Sequence, residues 1–411
     1  MSEYDVAVVG MGAAGAMAAL RAALRKKNVI AIERNAALGK KLLLTGGGKC
    51  NITNTASLDE LLQAFGKKGA FYRQAFGVFS NQDLIDFFTE RGLVLCHDDA
   101  GRVVPKNGGA AGVVAVFAKA LAQTQANVLY NTRVNAIKKE RAGFRLLSEK
   151  NIEFFARSVV LSTGGITYKA TGSSGDGYRI ARDLGHTVID LLPGLVPLKL
   201  KEQWPKTLQG ISLPQVRIVF EGAGPKSVSP VGEILFTHFG ISGPLALDVS
   251  GRLVAELVTK KEITVLLDLY PGSSLQEIET MLLKRFLDNR KVQVKNVLRE
   301  WPARFVVCLL REVGIEPGTG AGNVSTKQRM CLAKNLKALP MTVLGPVSVD
   351  AAMVTAGGVC MKEIDPRTME SRIVPRVYFA GEIIEGSAIS GGFNLQQAFS
   401  TGFFAGEHAG R

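Results

Sequence analysis

The sequence predicts an α/β fold of the Rossmann type, and three observations carry that prediction. GMGAAG (10–15) stands between a β-branched apolar run and an alanine-rich helix. An apolar run, ARSVVLSTGG (156–165), ends in a threonine and two glycines. Near the C-terminus, RVYFAGE (376–382) is followed by a second glycine turn that opens a helix, SGGFNLQQAFSTG.

YDVAVVG (4–10) reads as a buried strand, the residues after GMGAAG as a helix and NVIAIE (28–33) as a second strand ending in an acid. Strand, GxGxxG and helix in that order form the dinucleotide-binding unit, and the acid lies eighteen residues after Gly15. Gly10 permits the tight turn, Gly12 lets a pyrophosphate approach the backbone, and Gly15 lets helix and strand pack closely. The helix start at Ala13 and Ala14 attracts phosphate. Glu33 accepts hydrogen bonds from an adenosine ribose, and its charge disfavours a 2′-phosphate there.

KKLLLTGGGKCNITNT (40–55) places three consecutive glycines where an ordinary turn needs one. Bare backbone of this length implies a large flat group lying against the chain. VLYNTRVNAI (128–137) reads as a strand, with Val134 placed to offer backbone groups to an adenine, and 156–165 as a strand with a tight exit at Thr163, Gly164 and Gly165.

Residues 195–345 interrupt these parts. LKLKEQW, PQVRIVFEG and EITVLLDLY have strand character. SLQEIETMLLKRFLDN (274–289) has apolar residues at Leu275, Ile278, Met281, Leu282 and Phe286, which is helical spacing, and Ser274 with Glu277 forms a capping box. The stretch 294–314 continues in helices, with Pro302 at a boundary. Lys284, Arg285, Arg290, Lys291, Lys295 and Arg299 face only Asp288 in opposite charge between 284 and 299. On a continuous helix Lys291, Lys295 and Arg299 share one side, a solvated face or a contact for a polyanion such as RNA.

A simple NAD dehydrogenase carries no C-terminal nucleotide segment like 375–410. The helix start at Gly391, Gly392, Asn394 and Leu395 exposes free N–H groups and a positive dipole end. Directed at the pyrimidine side of a reduced flavin, it stabilises negative charge there by up to ~2 kcal/mol in buried geometry. Such a segment suits FAD, or else is a glycine-capped terminal helix. Glu382, after Gly381, lies near the ribityl or pyrophosphate portion of that cofactor.

The chain has 411 residues, 46% of them hydrophobic and 21% charged, as in soluble globular proteins. The start lacks the positive charge of a signal peptide, and no apolar stretch reaches the ~18 residues of a membrane span. Five scattered cysteines, none in CxxC or Cys/His spacing, point to a reduced, cytoplasmic protein without a metal site. The formal net charge of +14 suits an anionic partner or an ordinary basic surface.

The set GMGAAG, GKKLLLTGGGKCNITN, LSTGG, GEILFTHFGISGP, TAGGV and FAGE…GGFNLQQAFSTG resembles the YhiN/BaiN-type family of FAD-dependent oxidoreductases, within the two-dinucleotide-binding-domain flavoproteins. The resemblance runs from residue 4 to about 408. It implies that Gly46, Gly47 and Gly48 pass along the isoalloxazine and ribityl chain, that Lys40 and Lys41 face phosphate or ribityl oxygens, and that Thr45, Cys50 and Asn51 lie near the ring. Arg34 joins the cofactor-binding set. Cys50 is either a reactive thiol or a small packing residue. The turn after GEILFTHFG faces the flavin cavity, so His238 is the candidate proton donor, or else a histidine that holds the turn.

The implied organisation is an FAD-binding domain at 1–194 and 346–411, interrupted by a β-rich insert at 195–270 and 326–345 that carries a helical cap at 271–325. The implied reaction passes hydride from NADH or NADPH, a transient electron donor, through the flavin to an unsaturated carbon of a substrate under the cap. No second GxGxxG marks a site for that donor. Family members are associated with reduction of conjugated double bonds in steroid-like acids, with amine oxidation, and with reduction of uridine to dihydrouridine in ribosomal RNA. The partner is accordingly a small-molecule or RNA substrate. A non-catalytic flavin-binding regulator is the alternative outside enzymes.

Overall fold

The computed structural model describes residues 3–220 and 227–411. The last two residues of the strand expected at PQVRIVFEG lie outside them. The chain divides into two compact units, one of Met1–Leu192 with Ala352–Arg411 and one of Pro193–Ala351.

The first unit is built on a seven-stranded sheet. Strands Asn127–Leu129, Val29–Ile32, Glu3–Val9 and Glu153–Leu161 lie side by side and parallel. Val29–Ile32 and the second halves of Glu3–Val9 and Glu153–Leu161 are buried runs rich in Val, Ile, Leu and Ala, as a parallel sheet covered on both faces requires, while Asn127–Leu129 is a partly exposed edge. The far edge of Glu153–Leu161 is shared. Its first half pairs antiparallel with Phe144–Ser148, which pairs onward with Val134–Lys139. Its second half pairs parallel with Val377–Phe379, so the C-terminal segment enters the sheet beside the first strands. The expected strand at 128–137 is thus two strands. The chain breaks at 130–133, where Asn131 takes a positive φ of 51°.

Helices Ala13–Leu24 and Phe393–His408 pack against each other through their small residues. A Cβ on Gly402 would lie 2.3 Å from the Ala14 carbonyl oxygen, and one on Gly406 would lie 2.4 Å from that of Ala18. The same offset at both contacts (402 − 14 = 406 − 18 = 388) means that the helices run parallel.

In the second unit, strands Ser212–Phe220, Gly232–Thr237, Gly240–Ser242, Leu198–Leu200, Leu339–Pro346 and Ile263–Asp268 are neighbours in that order, all antiparallel. Ser212–Phe220 also pairs with Ile263–Asp268, which closes the ring. Leu213, Ile218, Phe236, Ile241, Val265, Leu267, Met341 and Val343 are fully buried, and residues between them along the strands are more exposed.

Helices Leu275–Asp288, Val294–Val297, Ala303–Glu312 and Thr326–Lys337 belong to the same unit. The capping box at Ser274 and Glu277 is present, and Ile278, Leu282 and Phe286 form the buried stripe while Leu275 is exposed. The stretch 326–345 gives a twelve-residue helix and then a strand. One expectation fails here. Lys291, Lys295 and Arg299 do not share a helix, because the first helix ends at Asp288 and only Lys295 lies in the short Val294–Val297 turn of helix. Arg285 of the same cluster is paired with Glu300.

Candidate functional site: two helix starts in one unit

The first strand delivers Gly10, and the chain must turn there against the exit of Glu153–Leu161. Gly10 has φ 93°, and a Cβ on it would lie 2.8 Å from the Ser162 carbonyl oxygen. A Cβ on Gly15 would lie 1.8 Å from the Gly10 oxygen, so it is glycine for packing. Gly12 differs: nothing lies within 4 Å of its would-be Cβ. It is the N-cap of helix Ala13–Leu24, whose first turn has neither a side-chain cap nor an acid.

Glu33 follows strand Val29–Ile32 and is 6% exposed. One carboxylate oxygen accepts from the Met11 N–H at 2.7 Å, the other from the backbone and side chain of Asn35 at 2.9 and 2.7 Å. The carboxylate is therefore fixed beside the GMG turn. The backbone alongside it comes from the strand break, through Glu33 N to Leu129 O and Thr132 N to Glu33 O. Val134 lies beyond that point, its side chain buried and its backbone in register with Ser148. Arg34 is likewise engaged by protein. It donates to Gly172 O, Ser174 Oγ and Asp176, and Arg133 grips the same Asp176 with two bonds at 2.8 and 2.7 Å. The Arg133 hydrogen bonds hold the Asp176 carboxyl below its ordinary range.

The TGGG loop is left-handed in succession. Gly46, Gly47 and Gly48 have φ of 58°, 63° and 92°, and all three are exposed. Nothing lies within 4 Å of a Cβ on Gly47 or Gly48. Backbone conformation therefore requires glycine at these positions, and the open side is a cradle that a Cβ would fill. Thr45 turns its hydroxyl inward to Leu42 O at 2.6 Å, and Lys40 is exposed.

Cys50 is fully buried, and burial pushes its thiol up to about 11. It is protonated at neutral pH, which does not suit the reactive thiol considered from sequence and does suit a packing role.

Asn51 ties this loop to the second helix start. With its amide oriented to satisfy both partners, its oxygen accepts from Gly392 N at 3.1 Å and its nitrogen donates to Thr53 O at 3.0 Å. Asn54 reaches Gly391 O at 3.0 Å. Gly392, φ 96°, is the N-cap of Phe393–His408, again with no side-chain cap and no acid in the first turn. The Asn394 side chain is spent on Ala388, bonding its N–H and its carbonyl, so it shapes the preceding loop and leaves only backbone for a ligand. Leu395 is half-buried in the same turn.

The parallel offset places position 400 level with Gly12. Gly392 lies eight residues before that, about 12 Å along the axis at ~1.5 Å per residue. Two positive helix ends thus point the same way at different heights in one unit. That spacing suits a ligand with phosphate at one level and a second electron-rich group further along.

The same unit holds Thr163, Gly164, Gly165 and Glu382. The Thr163 hydroxyl is buried without a hydrogen-bond partner and packs where Gly177 leaves room. A Cβ on Gly165 would strike Thr355 Oγ1 at 2.0 Å. Glu382 accepts from Lys41 Nζ at 2.7 Å and from Thr355 N at 2.8 Å. Gly381 N donates to Thr401 Oγ1 at 2.9 Å. Two fully buried tyrosines hold this segment from behind: Tyr178 donates to Glu382 O at 3.2 Å and Tyr72 to Glu385 O at 3.1 Å.

His238 belongs to the other unit. It occupies the two-residue turn between Gly232–Thr237 and Gly240–Ser242, exposed, with its ring edge-on to Phe239. Gly240 makes that turn possible, since a Cβ there would lie 2.3 Å from Leu198 O. Among the described residues no cluster of three His, Cys, Asp or Glu could hold a metal, and no helix is long and apolar enough to cross a membrane.

Sequence reasoning missed Asn35, Thr167, Thr355, Asp176, Tyr72 and Tyr178. Thr355 sits in the quoted TAGGV, and Asn35 stands two residues after Glu33. The rest carry no local signal, because long-range packing alone brings them to the site.

Comparison with known proteins agrees with this geometry. The family model described as the HI0933-like protein Rossmann domain matches residues 4–408. A 3-dehydro-bile acid delta(4,6)-reductase of Clostridium scindens is 29% identical over 98% of this chain and 98% of its own. A ribosomal RNA dihydrouridine synthase of Escherichia coli is 27% identical, covering 98% of this chain and 96% of its own. In fold, the chain is similar to a 3-ketosteroid-delta4-(5alpha)-dehydrogenase of Rhodococcus jostii RHA1, with a TM-score of 0.53 and 15% identity over 100% of this chain and 97% of that one. With its GxGxxG turn, buried Glu33 and second helix start in place, the chain belongs to the HI0933-like family and is an FAD-dependent oxidoreductase.

Proposed function

We propose that the protein saturates a carbon–carbon double bond conjugated to a carbonyl, with NADH or NADPH as the transient donor. Bound FAD would supply the two-electron hydride chemistry between donor and substrate. The observation that carries the reading is the second helix start, where Asn51 holds the Gly392 N–H and the first turn Phe393–Leu395 has no N-cap side chain on it. It offers backbone N–H groups and a positive dipole end to the negative charge that accompanies reduction. The relatives support the choice of bond. One is named for removing the Δ4,6 unsaturation of a 3-oxo bile acid and the other for making dihydrouridine, and both names describe saturation of a C=C conjugated to C=O.

In this reading Gly10, Gly12 and Gly15, with Ala13 and Ala14, hold the pyrophosphate, and Glu33 takes the adenosine ribose. Gly46–Gly48 and Asn51, with Thr163–Gly165, Gly381 and Glu382, surround the ribityl and ring portions. His238, from the GEILFTHFG turn, takes the role of proton donor.

A second reading places the double bond in an RNA uridine, favoured by the exposed Lys284, Arg290, Lys291 and Arg299 and by the net charge of +14. The test is anaerobic. The yellow protein is bleached with NADH or NADPH, then mixed with a 3-oxo-Δ4 steroid acid or a uridine-containing ribosomal RNA fragment. Return of the yellow colour with a product two mass units heavier supports the reaction and identifies the substrate class. Failure of both acceptors to restore the colour overturns it.

A further inference from the structure

Lys41 and Glu382 form an ion pair with a Nζ–Oε2 distance of 2.7 Å, and each side chain is only about a fifth exposed. Four separate chain segments meet at this pair. Lys41 Nζ also donates to Thr167 Oγ1 at 2.8 Å and lies 5.8 Å from the centre of the Tyr168 ring. The other Glu382 oxygen accepts from Thr355 N at 2.8 Å and faces Thr167 Oγ1 at 3.4 Å. A Cβ on Gly165 would stand 2.6 Å from that oxygen. Both residues are tied to the helix starts. Gly39 N, two residues before Lys41, donates to Met11 O at 2.8 Å, and Gly381 is bonded to Thr401 of helix Phe393–His408.

A half-buried ion pair adds little net stability, because desolvation offsets most of its attraction. A carboxylate in this position also opposes the charge that reduction creates: the cofactor becomes more negative, and Glu382 is a fixed negative charge on the segment that holds it. We infer that Lys41 is a potential-setting residue, whose ammonium neutralises Glu382 so that the site accepts electrons without repelling them. The pair stands as a charge balance, and each half alone would bias the cofactor in the opposite direction. The inference rests on FAD being bound in this unit, and it does not depend on which double bond is reduced.

The experiment is a spectroelectrochemical titration of the FAD-loaded protein, Lys41→Met, Glu382→Gln, the double variant and Lys41→Arg. Lys41→Met leaves the carboxylate unbalanced and shifts the midpoint potential to more negative values. Glu382→Gln leaves the ammonium unbalanced and shifts it to more positive values. The double variant returns towards the parent, and Lys41→Arg keeps the parent potential. Single variants that shift in the same direction, or that leave the potential unmoved, overturn the inference. So does a folded Lys41→Met that takes up no FAD at excess cofactor while Glu382→Gln does, since that outcome makes Lys41 a retention residue. Absence of FAD from the unsubstituted protein is a separate result, read before any variant, and it removes the cofactor assignment itself.

Discussion

Gly402 rests on the backbone of Ala14, where a Cβ would come within 2.3 Å of the carbonyl oxygen. This contact sets the distance between the two helices and, with Gly406 on Ala18, the stagger of their N-termini. Gly402→Val is expected to cost about 1–3 kcal/mol through overpacking. It also displaces the second helix start relative to the first. Thermal unfolding and the ratio of flavin to protein absorbance should both fall in this variant.

Gly12→Val and Gly47→Val separate cofactor binding from folding. Gly12 has φ −76°, with open space around its Cβ position. Its valine variant should fold within about 1 kcal/mol of the parent, the modest loss of a helix N-cap. It should nevertheless purify colourless, because the branched side chain blocks the pyrophosphate. Gly47, at φ 63°, carries an additional strain of about 1–2 kcal/mol for any L side chain. Its valine variant should lose both colour and stability. Full FAD content in either variant would contradict the placement of that loop.

Asp176 makes stability depend on pH. Its carboxyl is held below the ordinary range by Arg133, so the folded value lies below the unfolded one of about 3.9. The contribution is fully present above pH ~4 and is lost as pH falls through the folded value. Asp176→Asn should therefore lower the melting temperature at pH 7. The gap to the parent should close as the pH is taken below 4, and a gap independent of pH would remove the Arg133 pair as its cause.

Cys50 should resist alkylation at pH 8 in the folded protein, while the exposed Cys96 reacts. A thiol pushed up to about 11 is almost entirely protonated there, and burial blocks access to it. Mass spectrometry after iodoacetamide treatment reads both sites. Rapid Cys50 labelling would restore it as a reactive group.

His238→Ala should slow reoxidation of the bleached protein by the substrate more than it slows bleaching by the donor. Rapid mixing measures the two half-reactions separately. Equal slowing of both would remove His238 as the acid.

Local chemistry made the GMG turn, Glu33, the TGGG loop and the second helix start legible, because each is a glycine pattern or, for Glu33, an acid tied to a strand or helix end. The same is true of the Ser274–Glu277 capping box, whose two partners lie three residues apart. What sequence left out is non-local. The strand break at Asn131 hides inside an uninterrupted β-rich run. Spacing of four residues grouped Lys291, Lys295 and Arg299 on a helix that ends at Asp288, because periodicity does not mark where a helix stops. Arg34 also bonds Asp176, from a segment that no spacing rule connects to it, and the Asn394 side chain bonds Ala388 six residues earlier, neither of which the sequence pattern indicates. Burial made the same difference for Cys50, whose neighbours in sequence give no measure of its solvent access.

The closed ring of the inserted unit has a consequence for association. Each of its six strands is bonded on both sides along part of its length, and the short strand Ser227–Val228, paired on Ser212–Phe220 alone, forms the end of the sheet. Addition of another extended chain is therefore confined to that short end and to brief unpaired stretches, far less than an open sheet of the same size would offer. Recognition by this unit then falls mainly to side chains projecting from its turns and helices.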